Sequence, residues 1–132
     1  EREPLELKAR IENFIKKVPK TTRWKVYDEE RKGAKKAILE YEAIKTVNDR
    51  ALIKVKPITG RTHQIRSQMA NIGCPVVGDK KYGKTSWLDD KSICLFSQKI
   101  TFNHPITQEQ ISVEAKLPFE RDVWKEFEGA LI

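Results

Sequence analysis

The run Lys56-Pro57-Ile58-Thr59-Gly60-Arg61-Thr62-His63-Gln64-Ile65-Arg66 lies where an alternating apolar pattern gives way to a helical one. It reads as a strand end, a glycine turn and a helix start. The first turn of a helix leaves backbone N–H groups free at the positive end of the dipole, which is a ready site for an anion. Arg61 adds a guanidinium able to hold a phosphate through two parallel hydrogen bonds. His63 and Arg66 are three apart and so share a helical face, beside the apolar stripe Ile65, Met69 and Ile72. Arg66 then sits at the border of core and surface, where a partly buried cation needs an anionic partner. Taken singly, each residue also has a plain structural reading. Gly60 makes a turn, Arg61 is a solvated charge, and His63 is a hydrogen-bonding group. Gln64 bonds to backbone, and Arg66 belongs to a structural ion pair.

Working outward, Ala37, Leu39, Tyr41 and Ala43 alternate with Glu40 and Glu42, and Ala51, Ile53 and Val55 alternate with Arg50, Lys54 and Lys56. This predicts an antiparallel hairpin that turns at Asn48-Asp49 and ends at Pro57, which has no N–H to donate. A helix is predicted over Thr62–Ile72, capped by Thr59 or Thr62 and ended by Gly73 as a left-handed residue. Gly78 and Gly83 bracket a turn. Residues 92–102 and 109–117 form a second strand pair. Phe119, Val123, Trp124, Phe127 and Leu131 give a terminal amphipathic helix. Residues 1–35 carry the weakest pattern and suggest a short strand or helix, then a basic loop. The class is α+β: a mainly antiparallel mixed sheet with a central and a C-terminal helix.

The 132 residues suit one domain, and 39% apolar with 34% charged residues is the composition of a globular protein. The longest apolar run, Ile93–Phe96, is far too short to span a bilayer, so no membrane partner is expected. The first stretch is charged, unlike a signal peptide, and Glu1 in place of Met suggests an excised or processed piece. The 26 Lys and Arg against 19 Asp and Glu leave a net charge of +7, which favours polyanions through counterion release. Cys74 and Cys94 stand alone, with no CxxC and no Cys/His cluster, so no metal is expected. Two packed thiols in a reducing cytosol is the plainer reading, and a disulfide between them stays open.

As a set, these residues are more specific. Lys56-Pro-Ile-Thr-Gly-Arg-Thr-His-Gln-Ile-Arg66 closely resembles the signature of the RluA family of RNA pseudouridine synthases. Cys74-Pro-Val-Val-Gly-Asp79 with Tyr82-Gly83 resembles that family's next block. Leu95, then His104-Pro105 and Thr107, resembles its C-terminal strand pair. The likeness runs from about Gly33 to Leu117. It implies half of a pseudouridine synthase catalytic domain, acting in the cytoplasm on ribosomal or transfer RNA and needing neither metal nor organic cofactor. In such enzymes an Asp attacks a flipped uridine, and the base is detached, turned and rejoined through carbon. The resemblance makes Arg66 the ion-pair partner of that catalytic Asp. It puts Ile65 and Leu95 on the wall of the uracil pocket and has Arg61, His63 and Gln64 shape the cleft or meet RNA phosphate.

The chain departs from the family in three respects. The catalytic His-Arg-Leu-Asp block is absent: none of Asp28, Asp49, Asp79, Asp89, Asp90 and Asp122 follows His-Arg-Leu. Asp79 belongs to a Gly-Asp block that is structural in the family. The pocket tyrosine also has no match, since Tyr27 and Tyr41 lie in other contexts. Both missing elements are expected ahead of Glu1. In addition, Ser67-Gln68 stands where relatives commonly carry an aliphatic residue and His. Three readings follow: part of a synthase, inactive alone; a basic RNA-binding module without chemistry; or an unrelated enzyme using His63 as general base on a phosphodiester. The last lacks a paired acid or nucleophile. Half of a continuous sheet would also leave apolar surface and an open strand edge, through which the isolated chain is expected to form a homodimer.

Overall fold

A computed structural model of the chain describes residues 7–83, 93–118 and 122–129. Four strands, β1 (Lys8–Lys17), β2 (Trp24–Tyr27), β3 (Lys35–Val47) and β4 (Arg50–Pro57), form an antiparallel sheet in the order β2-β1-β3-β4. Helix α1 (Gln64–Asn71) follows, then a separate hairpin of β5 (Lys99–Asn103) and β6 (Gln110–Glu114), then a short α2 (Asp122–Lys125). The expected class, a mainly antiparallel α+β fold, is what the chain adopts.

Alternation assigns the two faces of the sheet. Ala9, Ile11 and Asn13 of β1 lie opposite Tyr41, Leu39 and Ala37 of β3, so their side chains share one face. Leu39, Tyr41, Met69 and Cys74 form the buried core there, with Ile53, Val55, Ile65 and Ile72 packed against it. The apolar stripe expected on α1 is thus the surface that meets the sheet. The other face carries Arg10, Glu12, Lys36 and Glu40 in half-exposed ion pairs, including Lys36 to Glu12 at 2.7 Å. Pairs this exposed are screened by water and add little to stability.

The first 35 residues differ from the expected short element and basic loop. β1 is a ten-residue strand, and the basic segment after it holds a second strand. Two residues hide the period of β1: the inward position 13 is Asn, and Phe14 lies on the opposite face. Asn13 is buried because its Oδ1 accepts a hydrogen bond from Gln68 Nε2 at 2.7 Å. The β3–β4 hairpin turns as predicted, with Asn48 at φ 55° and Pro57 closing the ladder opposite Leu39. Its outer strand carries Arg50, Lys54 and Lys56, and the other edge, β2, is four residues long and carries Lys25. Like charge on both edges opposes pairing with a second copy, so the expected edge-to-edge homodimer gains no support. Exposed apolar surface is present instead on the β5–β6 hairpin, at Ile100, Phe102 and Val113. That hairpin is shorter than the pair expected over 92–102 and 109–117. Of the terminal helix face, Phe127 is buried and Trp124 meets Phe96 edge to face at 6.3 Å. Phe119, the Val123 side chain and Leu131 lie outside the described residues.

Helix α1 is held by more than its apolar stripe. Gln68 is fully buried, and its Nε2 donates to Asn13 Oδ1 and to Ala37 O at 2.9 Å. Its Oε1 is buried without a partner among the described residues. Replacing Gln68 with Met keeps the volume but deprives two buried acceptors of their donor. We expect Gln68→Met to cost about 1–3 kcal/mol in urea unfolding, less whatever removal of the orphaned oxygen returns.

Candidate active site

Helix α1 begins two residues later than predicted, at Gln64. His63 takes the N-cap position with left-handed backbone, φ 53° and ψ 22°, and no side chain caps the helix. Thr59 does not cap because it is engaged elsewhere. Its hydroxyl accepts from Ile38 N at 2.9 Å and donates to Gln64 Oε1 at 2.7 Å. Gln64 also accepts from Arg61 N and donates through Nε2 to Ile38 O at 2.9 Å. Gln64 is therefore buried with both ends of its amide committed to the fold, and it is not presented to a ligand. Gly73, at φ 86°, ends the helix as expected, its N–H bonded to Ala70 O.

Arg66 projects from α1 onto the turn made by residues 78–83. Its Nε donates to Asp79 Oδ2 at 2.8 Å and its Nη2 to Asp79 Oδ1 at 2.9 Å, a two-pronged pair. Asp79 is fully buried and accepts two further bonds, from the backbone N–H groups of Lys81 and Tyr82. The turn closes with Gly83 N–H on Asp79 O at 2.9 Å. A Cβ at position 83 would lie 2.6 Å from that oxygen and 3.1 Å from Pro75 Cβ, so only glycine fits. The Tyr82 ring lies beside the guanidinium, 5.2 Å from Arg66 Cζ, and Arg23 Cζ is 5.4 Å from the same ring. The Tyr82 hydroxyl accepts from Trp24 N–H at 3.0 Å and lies 2.8 Å from His63 Nδ1.

The electrostatics follow from this geometry. Burial alone would raise the Asp79 carboxyl, but the hydrogen bonds and charge of Arg66 and the two backbone amides outweigh it. They hold the group below the usual carboxylate range. The bond to Asp79 raises Arg66 against its own desolvation. Burial, then the charges of Arg66 and Lys81, lower His63, so it is neutral near pH 7.

The remaining expected site residues divide. Ile65 and Leu95 come together on a cavity of about 100 Å³ that Val55, Met69, Cys94 and Phe127 also line. Leu95 is 42% exposed at its rim. Arg61 is exposed, with Nε on Lys36 O at 3.0 Å. Cys74 and Cys94 remain thiols. Among the described residues, no group of three or more His, Cys, Asp or Glu side chains could hold a metal, and no helix is long and apolar enough to cross a membrane. The structural ion pair open to Arg66 is made with Asp79, which grips it from within the chain. The Asp79-x-x-Tyr82-Gly83 spacing, a side chain capping its own turn, was the available signal.

A family model for RNA pseudouridylate synthases matches residues 2–71. The chain is 37% identical over 116 residues to the ribosomal large subunit pseudouridine synthase C of Rickettsia felis, covering 86% of this chain and 36% of that protein. It is 34% identical over 87 residues to the dual-specificity RNA pseudouridine synthase RluA of Haemophilus influenzae, covering 64% and 40%. Human RNA pseudouridylate synthase domain containing 1 superposes with a TM-score of 0.72 at 24% identity, over 89% of this chain and 51% of that one. The chain thus spans between a third and two fifths of the length of these two curated relatives.

The lowered Asp79 and His63 values set a direction for stability against pH. Each favours the deprotonated form in the folded state, so each contribution is complete above the unfolded pKa and is lost as pH falls. The windows open at about pH 6.5 for His63 and about pH 4 for Asp79. We expect urea midpoints to drop in both windows between pH 8 and pH 3. His63→Gln should remove the upper drop, and Asp79→Asn should reduce the lower one, to which the lowered Glu12 also contributes.

Proposed function

We propose, for a chain that belongs to the RNA pseudouridylate synthase family, that it is the C-terminal part of a catalytic domain that isomerises uridine to pseudouridine. Ribosomal or transfer RNA in the cytoplasm is the proposed substrate. One observation carries this reading: a guanidinium held on one side by Asp79 follows directly, in α1, on a residue that lines a small apolar cavity. Uridine isomerisation calls for that pairing, a fixed cation to keep a carboxylate ionised and an apolar wall for a flat base. The base must leave its stack to be reached, and a pocket rim formed by Ile65 and Leu95 would receive it. The N1–C1′ bond then breaks, the base turns, and C5 bonds to C1′ while a proton leaves C5 and one is gained at N1. Neither a metal nor an organic cofactor is required. Arg61 and His63 are proposed to meet RNA phosphate, whereas Gln64 serves the fold.

The nucleophile is not Asp79. A carboxylate with no exposed surface that already accepts four hydrogen bonds cannot approach a nucleotide. Among the described residues, no other acid pairs with Arg66. The 132-residue chain is therefore proposed to be inactive alone, with the attacking Asp supplied by the rest of a longer polypeptide. The second reading, a basic RNA-binding module without chemistry, rests on the same commitment of Asp79.

The test is pseudouridine formation on RNA transcripts. We expect none from the 132-residue chain and turnover from the full-length polypeptide carrying it. Arg66→Ala in that polypeptide should abolish turnover and keep most RNA affinity; activity within about tenfold of the parent, roughly 1.4 kcal/mol, refutes the role given to Arg66. A full-length protein that binds RNA but never forms pseudouridine favours the second reading.

A further inference from the structure

We infer that Asp79 is a positioning residue for the reaction, fixing the plane of the Arg66 guanidinium so that its Nη1 edge is presented to the attacking carboxylate. This rests on the role proposed for Arg66. Arginine offers five N–H donors in a rigid fork. Asp79 takes two of them, one on Nε and one on Nη2. The second Nη2 proton and both Nη1 protons remain, and Nη1 has no acceptor among the described residues. Those three point away from Asp79 by the geometry of the fork. The Arg66 side chain keeps 21% of its surface exposed while Asp79 keeps none, so the occupied edge is inside and the open edge outside.

Charge alone does not explain such a pair. A buried carboxylate at 2.8 Å cancels much of the field that Arg66 would exert on a second carboxylate, which weakens its hold on the nucleophile. What Asp79 supplies in exchange is orientation. A free arginine side chain samples many rotamers, and a fork bound in its own plane samples few of them. The clamp is itself held: Asp79 is fixed by the Lys81 and Tyr82 amides, the Tyr82 ring lies against the guanidinium, and Gly83 permits the closure. Four residues of one turn thus act, directly or through Asp79, on one side chain of the helix.

The experiment measures kcat and KM for pseudouridine formation in the full-length polypeptide with Arg66→Lys, Asp79→Asn and Asp79→Glu, each below its melting temperature. Asp79→Asn keeps the shape and loses the charge-assisted fork; kcat should fall about 30-fold or more with KM within about threefold, the signature of an interaction made in the transition state. Asp79→Glu keeps the charge and displaces the oxygens by a methylene, and kcat should fall about tenfold at unchanged KM. If Asp79→Asn does not fold, Asp79→Glu carries the test alone. The inference is overturned if either folded variant keeps kcat within about threefold of the parent, or if KM rises in step with the loss of kcat, as a general collapse of the site would produce. Arg66→Lys separates the two layers. Near-parental turnover in that variant removes the role of Arg66 and this inference with it. An inactive Arg66→Lys beside a fully active Asp79→Asn leaves that role standing and overturns only the inference.

Discussion

The backbone of Ile38 is the point on which the site is built. β3 outlasts β4, because Pro57 closes the ladder opposite Leu39. Ile38 therefore turns its N–H and C=O to a side where no strand continues, and a buried peptide group left unpaired would be costly. The chain after β4 answers that demand. Ile58 and Thr59 donate from the backbone, the Thr59 hydroxyl accepts the Ile38 N–H, and Gln64 adds its amide. Gln68 reaches Ala37 from the helix above the same strand. The helix is thus docked by polar bonds to backbone, with apolar packing along one stripe only. Arg66, between the two glutamines in sequence, inherits its place from them.

From there the molecule is a set of clamps in series. The sheet holds α1, α1 carries Arg66, and the turn at 78–83 grips Arg66 by its edge. The same turn reaches back through Tyr82 to the Trp24 amide on β2 and to His63 at the head of α1. Elements far apart in the chain meet on one tyrosine. Positive charge accumulates around it from Arg23, Arg66 and Lys81, and the buried Asp79 carboxylate offsets it. A neutral His63 in that field is a consequence of the arrangement.

The hairpin of β3 and β4 was legible in the sequence because its apolar residues alternate without interruption and Asn48 marks its turn. β1 was not, because the sheet face at position 13 holds an asparagine whose partner, Gln68, lies 55 residues away. No local pattern reports such a bond. The start of α1 misled for a related reason. Thr59 and Thr62 look like caps, but Thr59 is consumed by Ile38, and nothing in composition announces a left-handed His63. The meeting of Ile65 and Leu95 on one cavity was expected only through resemblance, since 30 residues and a turn separate them. Gln64 was assigned to the cleft on the same grounds, and the fold claims it instead. An amide serves backbone and ligand equally well, so its type could not decide between them.

Position 63 shows how narrow such a site can be. Its backbone lies in a region that most side chains avoid and that His, Asn and Asp enter more readily than others. Its ring must also reach the Tyr82 hydroxyl. The residue is thus filtered twice, once for handedness and once for a nitrogen at a set reach. Asparagine passes the first filter with too short an arm for the second, and glutamine has the arm without the ease of turning left. Histidine satisfies both, so its presence there is informative about backbone shape before it says anything about chemistry.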